Sequence, residues 1–369
     1  MKLFLGSLAF LTAVAAWAEP ARGSRHAVRF FGTGTGQVDR AKLPLDPPTA
    51  ADVGDDFTVE FWMRADPGND GTVNEGANGD GWITGNVVVD RDIYGGGDYG
   101  DYGVALGSAG GAARVLAFGA HNGDWGETIV GPNDFSGGAW RHVAVTRVRT
   151  SGLMRIYVDG ALDAEGTGPG GDLSYRDGRD TAWTNSDPFL VLGAEKHDAG
   201  TEYPSFHGYL DEFRIWSRAL SAEELTNVAA RVLDPSEHPD LVACWRFEEG
   251  TNTVLYDSTA GAITGRLHQA LAGNGQRVAY ADNPTNTAPV ELEPPRLRDA
   301  RAANGEMSFH WFASRNYFQS LETSTGLVSN AWTPLPGWTN LHRADGPVYF
   351  TGTVSGADTR FYRVRAAAE

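Results

Sequence analysis

The chain has 369 residues, a single cysteine and a formal net charge of −17 at pH 7. This acidity argues against nucleic acid and anionic membrane surfaces as partners, because both require a basic binding surface. A single cysteine excludes an internal disulfide, so stability must come from a large hydrophobic core. The length is sufficient for one large β domain and a smaller one.

The N-terminus has the features of a secretory signal. Lys2 precedes a continuous apolar run, and Ala16-Trp17-Ala18 matches a small-residue cleavage site. The run is shorter than the roughly 20 apolar residues that a membrane span requires, and no later stretch is long enough. We therefore predict a signal peptide over residues 1–18 and a secreted protein without a transmembrane segment, located outside the cell, in the periplasm or on the cell surface.

Alternating apolar residues predict strands in the first half of the chain. A two-residue period over residues 57–64 places four apolar side chains on one face: Phe57, Val59, Phe61 and Met63. Residues 140–147 and 153–158 form two further strands, and Asp159-Gly160 favours a tight hairpin turn after them. This β-meander needs a second sheet to cover its apolar face.

Residues 207–216 predict a strand with an irregularity. Leu210, Phe213 and Ile215 all have the character of buried residues, yet Leu210 and Phe213 have opposite parity. A β-bulge at Asp211-Glu212 would place all three on the same face. Ser221 and Glu224 then form a capping box that begins a short amphipathic helix.

The remaining sequence predicts two domains joined by a linker. Residues 25–285 form a single large β domain, and residues 286–295 are a linker rich in Pro, Asn and Thr. Short aromatic strands over residues 296–369 predict a small β accessory module, a sandwich of fibronectin- or immunoglobulin-like type.

Three ordered blocks carry a resemblance to a known family. They are FTVEFW at residues 57–62, WRHVAVT with IYVDG at residues 140–160, and FLVLG with GYLDEFRIW and RALS at residues 189–221. These blocks resemble the LamG-like jelly-roll family of the concanavalin A-like lectin/glucanase superfamily. The resemblance implies an all-β jelly-roll sandwich over residues 25–285 and says far more about fold than about function.

No catalytic motif is recognisable in the sequence. Retaining glucanases of this fold carry E-x-D-x-E on one strand, which places two carboxylates on one face, and this motif is missing here. The nearest candidate, Asp211-Glu212, has adjacent residues that would point to opposite faces of a regular strand. We predict that the protein is not an enzyme and keep a divergent glycoside hydrolase as an alternative.

Calcium is the cofactor that the sequence supports best. In the family that the sequence resembles, an Asp near the closing strand often binds calcium at the sandwich rim, and Asp211 holds the matching position. Asp39 is a candidate partner ligand, because hard cations need six to eight oxygen ligands. The alternative is that the Asp211 carboxylate accepts hydrogen bonds from loop amides.

Aromatic residues in the polar loops are candidate ligand contacts: Trp82, Tyr94, Tyr99, Trp125, Trp183 and Tyr203. Sugar rings stack on such side chains while nearby Asp and Asn bind the hydroxyls. Each aromatic residue could instead fill the underside of its own loop.

The predicted function is therefore calcium-assisted recognition of an extracellular glycan or a glycosylated surface, without catalysis. A structural or adhesive surface protein that binds protein partners is the alternative from another class.

Overall fold

The computed structural model describes residues 26–32, 40–46, 48–92, 100–175, 188–196, 202–268, 279–282, 288–292, 295–303, 306–313, 317–324, 332–343, 346–353 and 361–368. The predicted signal peptide lies outside these residues. The fold is all-β, which confirms the predicted fold class. The described residues form two compact units, Ser24–Val290 and Glu291–Glu369.

The strands of the first unit are β1 (His26–Phe31), β2 (Arg40–Pro44), β3 (Phe57–Ala65), β4 (Asn86–Arg91), β5 (Asp101–Ala109), β6 (Ala112–His121), β7 (Gly126–Val130), β8 (Arg141–Arg147), β9 (Leu153–Val158), β10 (Ala161–Thr167), β11 (Phe189–Leu192), β12 (His207–Trp216), β13 (Arg231–Val232), β14 (Leu241–Trp245), β15 (Val254–Tyr256), β16 (Thr264–His268) and β17 (Ala279–Asp282). The helix α1 (Ala222–Ala229) follows β12, and short 3-10 turns occupy Ala77–Gly79 and Pro235–Glu237.

These strands form two antiparallel sheets that enclose the core. The first sheet has the order β10-β9-β8-β3-β12-β1-β17, with β14 also paired to β12. The second sheet has the order β15-β16-β2-β11-β4-β5-β6-β7. The main hydrophobic cluster takes side chains from the facing sides of both sheets, as expected for a sandwich.

The strand predictions for β3 and the meander are confirmed. The four apolar residues of β3 are fully buried in the core: Phe57, Val59, Phe61 and Met63. Strand β8 pairs with β3 on one side and with β9 on the other, and β10 follows β9 through the predicted turn. Asp159 adopts a positive φ of 50° in this turn, as that type of turn requires.

The predicted β-bulge in β12 is also confirmed. The register between β12 and β3 shifts between Asp211 and Arg214, and Glu212 has a positive φ of 48°. The extra residue brings Leu210 and Phe213 onto the same side of the sheet, where both are fully buried. It also turns Glu212 toward the outer face of the first sheet.

Helix α1 packs over part of that outer face. Ser221 and Glu224 form the predicted capping box. Leu225 is fully buried in a second hydrophobic cluster on this side of the sheet. The indole N–H of Trp62 donates to the carbonyl of Ala229 at 2.7 Å, which ties the end of the helix to β3. The helix therefore covers polar residues of the sheet as well as apolar ones.

Cys244 in β14 is a free, buried thiol. Its side chain lies in the cluster beneath α1, and the residue is 1% exposed. Burial, together with the negative charge of Glu212, raises the pKa of this thiol well above its usual range. A buried thiol in this state is chemically inert in the folded protein.

The second unit has its own core. Its strands are β18 (Glu291–Leu292), β19 (Arg298–Ala303), β20 (Glu306–Ala313), β21 (Tyr317–Ser324), β22 (Thr333–Pro334), β23 (Leu341–His342), β24 (Gly346–Thr353) and β25 (Phe361–Ala368). Strands β19, β20 and β24 form one sheet, and β21 pairs with β22, β23 and β25 in another. Phe309 and Trp311 are central members of its hydrophobic cluster.

Part of the predicted linker is buried. Ala288 and Val290, which fall within predicted linker residues 286–295, are buried and belong to the first unit.

Candidate functional site

The turn between β6 and β7 presents an aromatic side chain to solvent. Trp125 is 43% exposed, although large apolar side chains are normally buried in such a domain. The Asn122 side-chain oxygen accepts the backbone N–H groups of Asp124 and Trp125, each at 3.1 Å. The backbone N–H of Asn122 donates to the carbonyl of Trp125, which closes the turn. The backbone that carries the indole is therefore fixed by its own hydrogen bonds.

Polar residues lie on the strands and loops next to this turn. His121 pairs with Asp101 of β5 on one side and with Gly126 on the other. The ring Nδ1 of His121 accepts the N–H of Gly123 at 2.9 Å, so the neutral ring carries its proton on Nε2. We refer to Trp125 with Asp80, Asp101, His121 and Asn122 as the Trp125 surface.

Asp80 reaches this surface from the preceding loop. Gly79 packs so closely on Gly126 that a Cβ on Gly79 would lie 2.8 Å from the Gly126 Cα. Partial burial raises the pKa of Asp80, a protonated His121 ring would oppose this effect, and the negative charge of Asp92 adds to it. Carboxylate, amide and imidazole groups next to an exposed indole can bind the hydroxyls of a sugar whose ring stacks on that indole.

The structure corrects the prediction for Trp82. This residue is only 2% exposed and belongs to a hydrophobic cluster on the outer face of the second sheet. Its indole lies against Gly103 and Gly119, which face each other on β5 and β6. A Cβ on Gly119 would approach Trp82 Cδ1 to 2.0 Å, so the two glycines create the space that the indole fills. Trp82 is a core residue of its loop, which is the alternative that the sequence left open.

Tyr203, the one other predicted aromatic residue that the structure describes, does not lie beside Trp125. Tyr203 is half-buried, and its segment bonds to the start of β4 through the N–H of Val87 and the carbonyl of Pro204 at 2.9 Å. Trp125 instead lies at the edge where β4 ends and β5 begins, because His121 pairs with Asp101. Tyr94, Tyr99 and Trp183 lie outside the described residues, as does the predicted metal ligand Asp39.

Asp211, the predicted calcium ligand, is fully buried and bonds to backbone amides. Its Oδ1 accepts the N–H of Glu212 at 2.8 Å, and its Oδ2 accepts the N–H of Ala288 at 2.8 Å. Both carboxylate oxygens therefore accept hydrogen bonds from backbone amides. This is the alternative role that the sequence left open for Asp211. Within the described ranges, no group of three His, Cys, Asp or Glu side chains could hold a metal ion. These contacts do not by themselves support calcium at Asp211, and calcium binding there stays a prediction.

The carboxylates that do converge lie beneath α1 and are closed to solvent. Glu60 accepts hydrogen bonds from His142 Nε2 at 2.9 Å and from the indole of Trp216 at 3.0 Å. Arg214 bridges Glu60 at 3.3 Å and Glu212 at 2.9 Å.

Glu212 also pairs with Arg246 at 3.1 Å. Both carboxylates are at most 1% exposed, so a substrate has no access to them, and we interpret the group as a structural network. The sequence does not predict this network, because its members lie on β3, β8, β12 and the segment after β14, far apart in the chain.

A sequence model of the Concanavalin A-like lectin/glucanases superfamily matches residues 32–226, more than half of the chain. The chain belongs to this superfamily. The match confirms the resemblance that the three sequence blocks indicated.

Individual relatives match only part of this chain, at about 30% sequence identity. The rat protein named sushi, von Willebrand factor type A, EGF and pentraxin domain-containing protein 1 is 28% identical over 145 residues, which are 36% of this chain and 4% of the relative. Human neuronal pentraxin-2 is 32% identical over 99 residues, or 26% of this chain and 20% of the relative. The chain therefore spans only a small part of these relatives.

Solved structures match the chain only at low identity and low TM-score. A Bacteroides ovatus protein for which carbohydrate binding is itself proposed has a TM-score of 0.45 and 19% identity, covering 73% of this chain and 63% of the other. Domains LG4-5 of the mouse laminin α1 chain have a TM-score of 0.38 and 12% identity, covering 84% of this chain and 62% of the other. We draw no functional conclusion from either. Among the described residues, no helix has the length and apolarity to cross a membrane.

Proposed function

We propose that the protein is an exported, non-catalytic recognition protein that binds extracellular carbohydrate at the Trp125 surface. The observation that carries this proposal is the exposed indole of Trp125 on a turn fixed by Asn122. Sugar rings bind to such surfaces through their apolar C–H faces, while neighbouring polar side chains bind the hydroxyls. Membership of a superfamily that includes lectins and glucanases is consistent with a sugar ligand.

The rigid turn supports a binding role on energetic grounds. A side chain on a mobile loop loses conformational freedom when it binds, and this loss reduces affinity. The hydrogen bonds around Asn122 fix the backbone of Trp125 before any ligand arrives. Non-catalytic recognition is favoured because the converging carboxylates, Glu60 and Glu212, are buried.

A glycan array probed with the full chain, with calcium and with EDTA, tests the proposal. We expect binding to at least one class of bacterial, algal or host glycan. Titration of that glycan with Trp125→Ala should give an affinity at least tenfold lower, which corresponds to about 1.4 kcal/mol. Tyr256→Ala is the matched control, because Tyr256 is also an exposed aromatic residue of the first unit, at 46%.

Absence of binding to every glycan on the array would contradict carbohydrate binding. An equal loss of affinity in Trp125→Ala and Tyr256→Ala would contradict the role of Trp125. Protein partners recovered without competition by sugars would favour the adhesive alternative. Calcium stays a separate prediction, which the array tests through its EDTA arm.

A further inference from the structure

A groove opens on the outer face of the second sheet, at the end of β6 that lies away from the Trp125 turn. Its volume is about 420 Å³, which is within the range of small-molecule sites. Three parts of the chain form its walls: residues 73–75, the hairpin turn between β5 and β6, and residues 130–132. We call this space the Val73 groove.

Backbone hydrogen bonds hold the wall of residues 73–75 at both ends. The N–H of Val73 donates to the carbonyl of Ser108 in β5 at 3.1 Å. Gly76 exchanges two hydrogen bonds with Thr128 of β7, at 2.8 and 3.1 Å. This wall is therefore tied to two strands before a ligand arrives. A site that is already ordered loses less conformational entropy when it binds.

The wall formed by the hairpin turn leaves space because its residues are small. Ala109, Gly110 and Ala112 line the groove there. A Cβ added to Gly110 would meet no atom within 4 Å. The turn itself therefore does not fill the groove, and a larger side chain at position 112 would occupy part of it.

The floor of the groove is apolar. Val73 and Val115 line it, are each 1% exposed, and belong to the hydrophobic cluster on this face of the sheet. Val130 packs against the same cluster. A polar group placed on these methyl groups would lose its hydrogen bonds to water without replacement. The floor therefore favours an aliphatic group of a ligand.

Two polar side chains stand at the rim. Asn74 and Glu75 are exposed, and neither side chain forms a hydrogen bond or an ion pair with another described residue. An ionised Glu only accepts hydrogen bonds, whereas Asn both donates and accepts them. Glu75 is the one ionisable residue among the described lining residues, so an anionic ligand is disfavoured.

We propose that the Val73 groove binds the acetamido group of an N-acetylated amino sugar. The acetamido methyl packs on the valine floor, the N–H donates to the Glu75 carboxylate, and the carbonyl oxygen accepts from the Asn74 amide. An unsubstituted hexose does not match this pattern, because a hydroxyl in place of the acetamido group offers no methyl to the floor. The small residues of the hairpin turn leave room for the sugar ring.

This site does not depend on the Trp125 surface. The groove lies at Ala112, where β6 begins, and the Trp125 turn follows His121, where β6 ends. At about 3.3 Å per residue, the two ends of this strand are roughly 30 Å apart. A disaccharide cannot reach both, so either site can fail without the other.

Titration calorimetry of the full chain with N,N′-diacetylchitobiose tests the proposal. We expect this sugar to bind about tenfold or more tightly than cellobiose, which carries hydroxyls in place of the acetamido groups. Ala112→Trp should weaken the binding of diacetylchitobiose by about tenfold or more, because the indole occupies the groove. Glu75→Ala should weaken it roughly fivefold, because the acetamido N–H loses its acceptor.

Ala161→Trp is the matched control. Ala161, like Ala112, is an exposed alanine that begins a strand after a tight turn, but it does not line the groove. This variant should bind diacetylchitobiose as the wild type does. Trp125→Ala should keep the difference in affinity between the two sugars, which separates this site from the proposed function. If Ala112→Trp lowers the melting temperature strongly, Glu75→Ala decides, since Glu75 is exposed.

Three results would overturn the proposal. The first is no heat of binding for diacetylchitobiose with the unmodified chain. The second is equal affinity of Trp125→Ala for diacetylchitobiose and cellobiose, because the acetamido group would then not be recognised. The third is unchanged affinity for diacetylchitobiose in both Ala112→Trp and Glu75→Ala, because the sugar would then bind elsewhere.

Discussion

Glu60 is the residue on which the charged groups beneath α1 converge. Its carboxylate is fully buried and accepts hydrogen bonds from His142, Arg214 and Trp216. Burial alone would raise the pKa of Glu60, but the hydrogen bond from His142 and the charge of Arg214 outweigh it and lower the pKa. Removing the carboxylate would leave Arg214 buried with an incomplete set of partners.

We expect Glu60→Gln to lower the free energy of unfolding at pH 7 by about 3–5 kcal/mol, as is usual when one partner of a buried ion pair is removed. Because the folded-state pKa of Glu60 is lowered, its contribution is present above the unfolded pKa and is lost as the pH falls through the folded pKa. The difference between wild type and variant should therefore shrink below about pH 4. Urea unfolding at neutral and acidic pH measures both quantities.

Glu165→Gln serves as the control for Glu60. Glu165 pairs with Arg155 at 2.6 Å on the surface, and its side chain is 45% exposed. Exposed pairs contribute about 0–1 kcal/mol, so this variant should unfold almost as the wild type does. Similar losses in the two variants would show that burial of Glu60 does not set the size of the effect.

Trp82 shows why the sequence could not separate surface from core aromatics. Apart from Ile83, its neighbours in the chain are Gly, Asp and Thr, which indicate an exposed loop. The space for its indole comes from Gly103 and Gly119, more than twenty positions away on two paired strands. This recess exists because two glycines on distant strands lack side chains, so the residues around Trp82 do not predict it. The polar residues around Trp125, in contrast, do predict an exposed turn.

Strand β12 is the element whose local irregularity the sequence predicted in most detail. Opposite parity of two apolar residues located the bulge at Asp211-Glu212, and the register shift confirms it. The pattern also marked Asp211 as unusual. It could not reveal that the carboxylate would bond to Ala288, because that contact joins segments 77 residues apart.

We expect Asp211→Ala to release the segment around Ala288 from β12. Two buried N–H groups would lose their acceptor, at a cost of about 1–3 kcal/mol each. Hydrogen exchange should speed up at the amide of Ala288. Asp134→Ala is the control, since Asp134 accepts the N–H of Ser136 at 2.8 Å in an exposed turn.

The same variant tests calcium. If an ion binds at Asp211, calcium should raise the melting temperature of the wild type relative to EDTA and fail to do so in Asp211→Ala. Equal melting temperatures of the wild type in calcium and EDTA would show that the calcium prediction is wrong.

At the scale of the molecule, the chain contains separate hydrophobic clusters in its two compact units. The sequence indicated this organisation through a Pro-rich segment between strand-rich regions. The sequence could not predict where the first unit ends. Ala288 and Val290 are buried by contacts with distant residues, and composition does not reveal such contacts.

We expect residues 24–290 to fold alone. Expressed without the second unit, this fragment should unfold in one cooperative transition, because every described member of its main hydrophobic cluster comes from residues 28–267. Its melting temperature should lie within about 4 °C of the corresponding transition in the full chain, equivalent to about 1 kcal/mol. Circular dichroism provides the measurement, and a broad or absent transition in the fragment would contradict the prediction.

Because Cys244 is buried, alkylation of its thiol can detect opening of the fold. The thiol is the single cysteine of the chain, lies beneath α1, and is held in its unreactive protonated form by burial. An alkylating reagent can label it only in molecules whose helix has lifted from the sheet or whose sandwich has come apart. The labelling rate of the unmodified protein thus measures the population of opened molecules when reclosing is faster than labelling, and the rate of opening when labelling is faster, with no background from a second thiol.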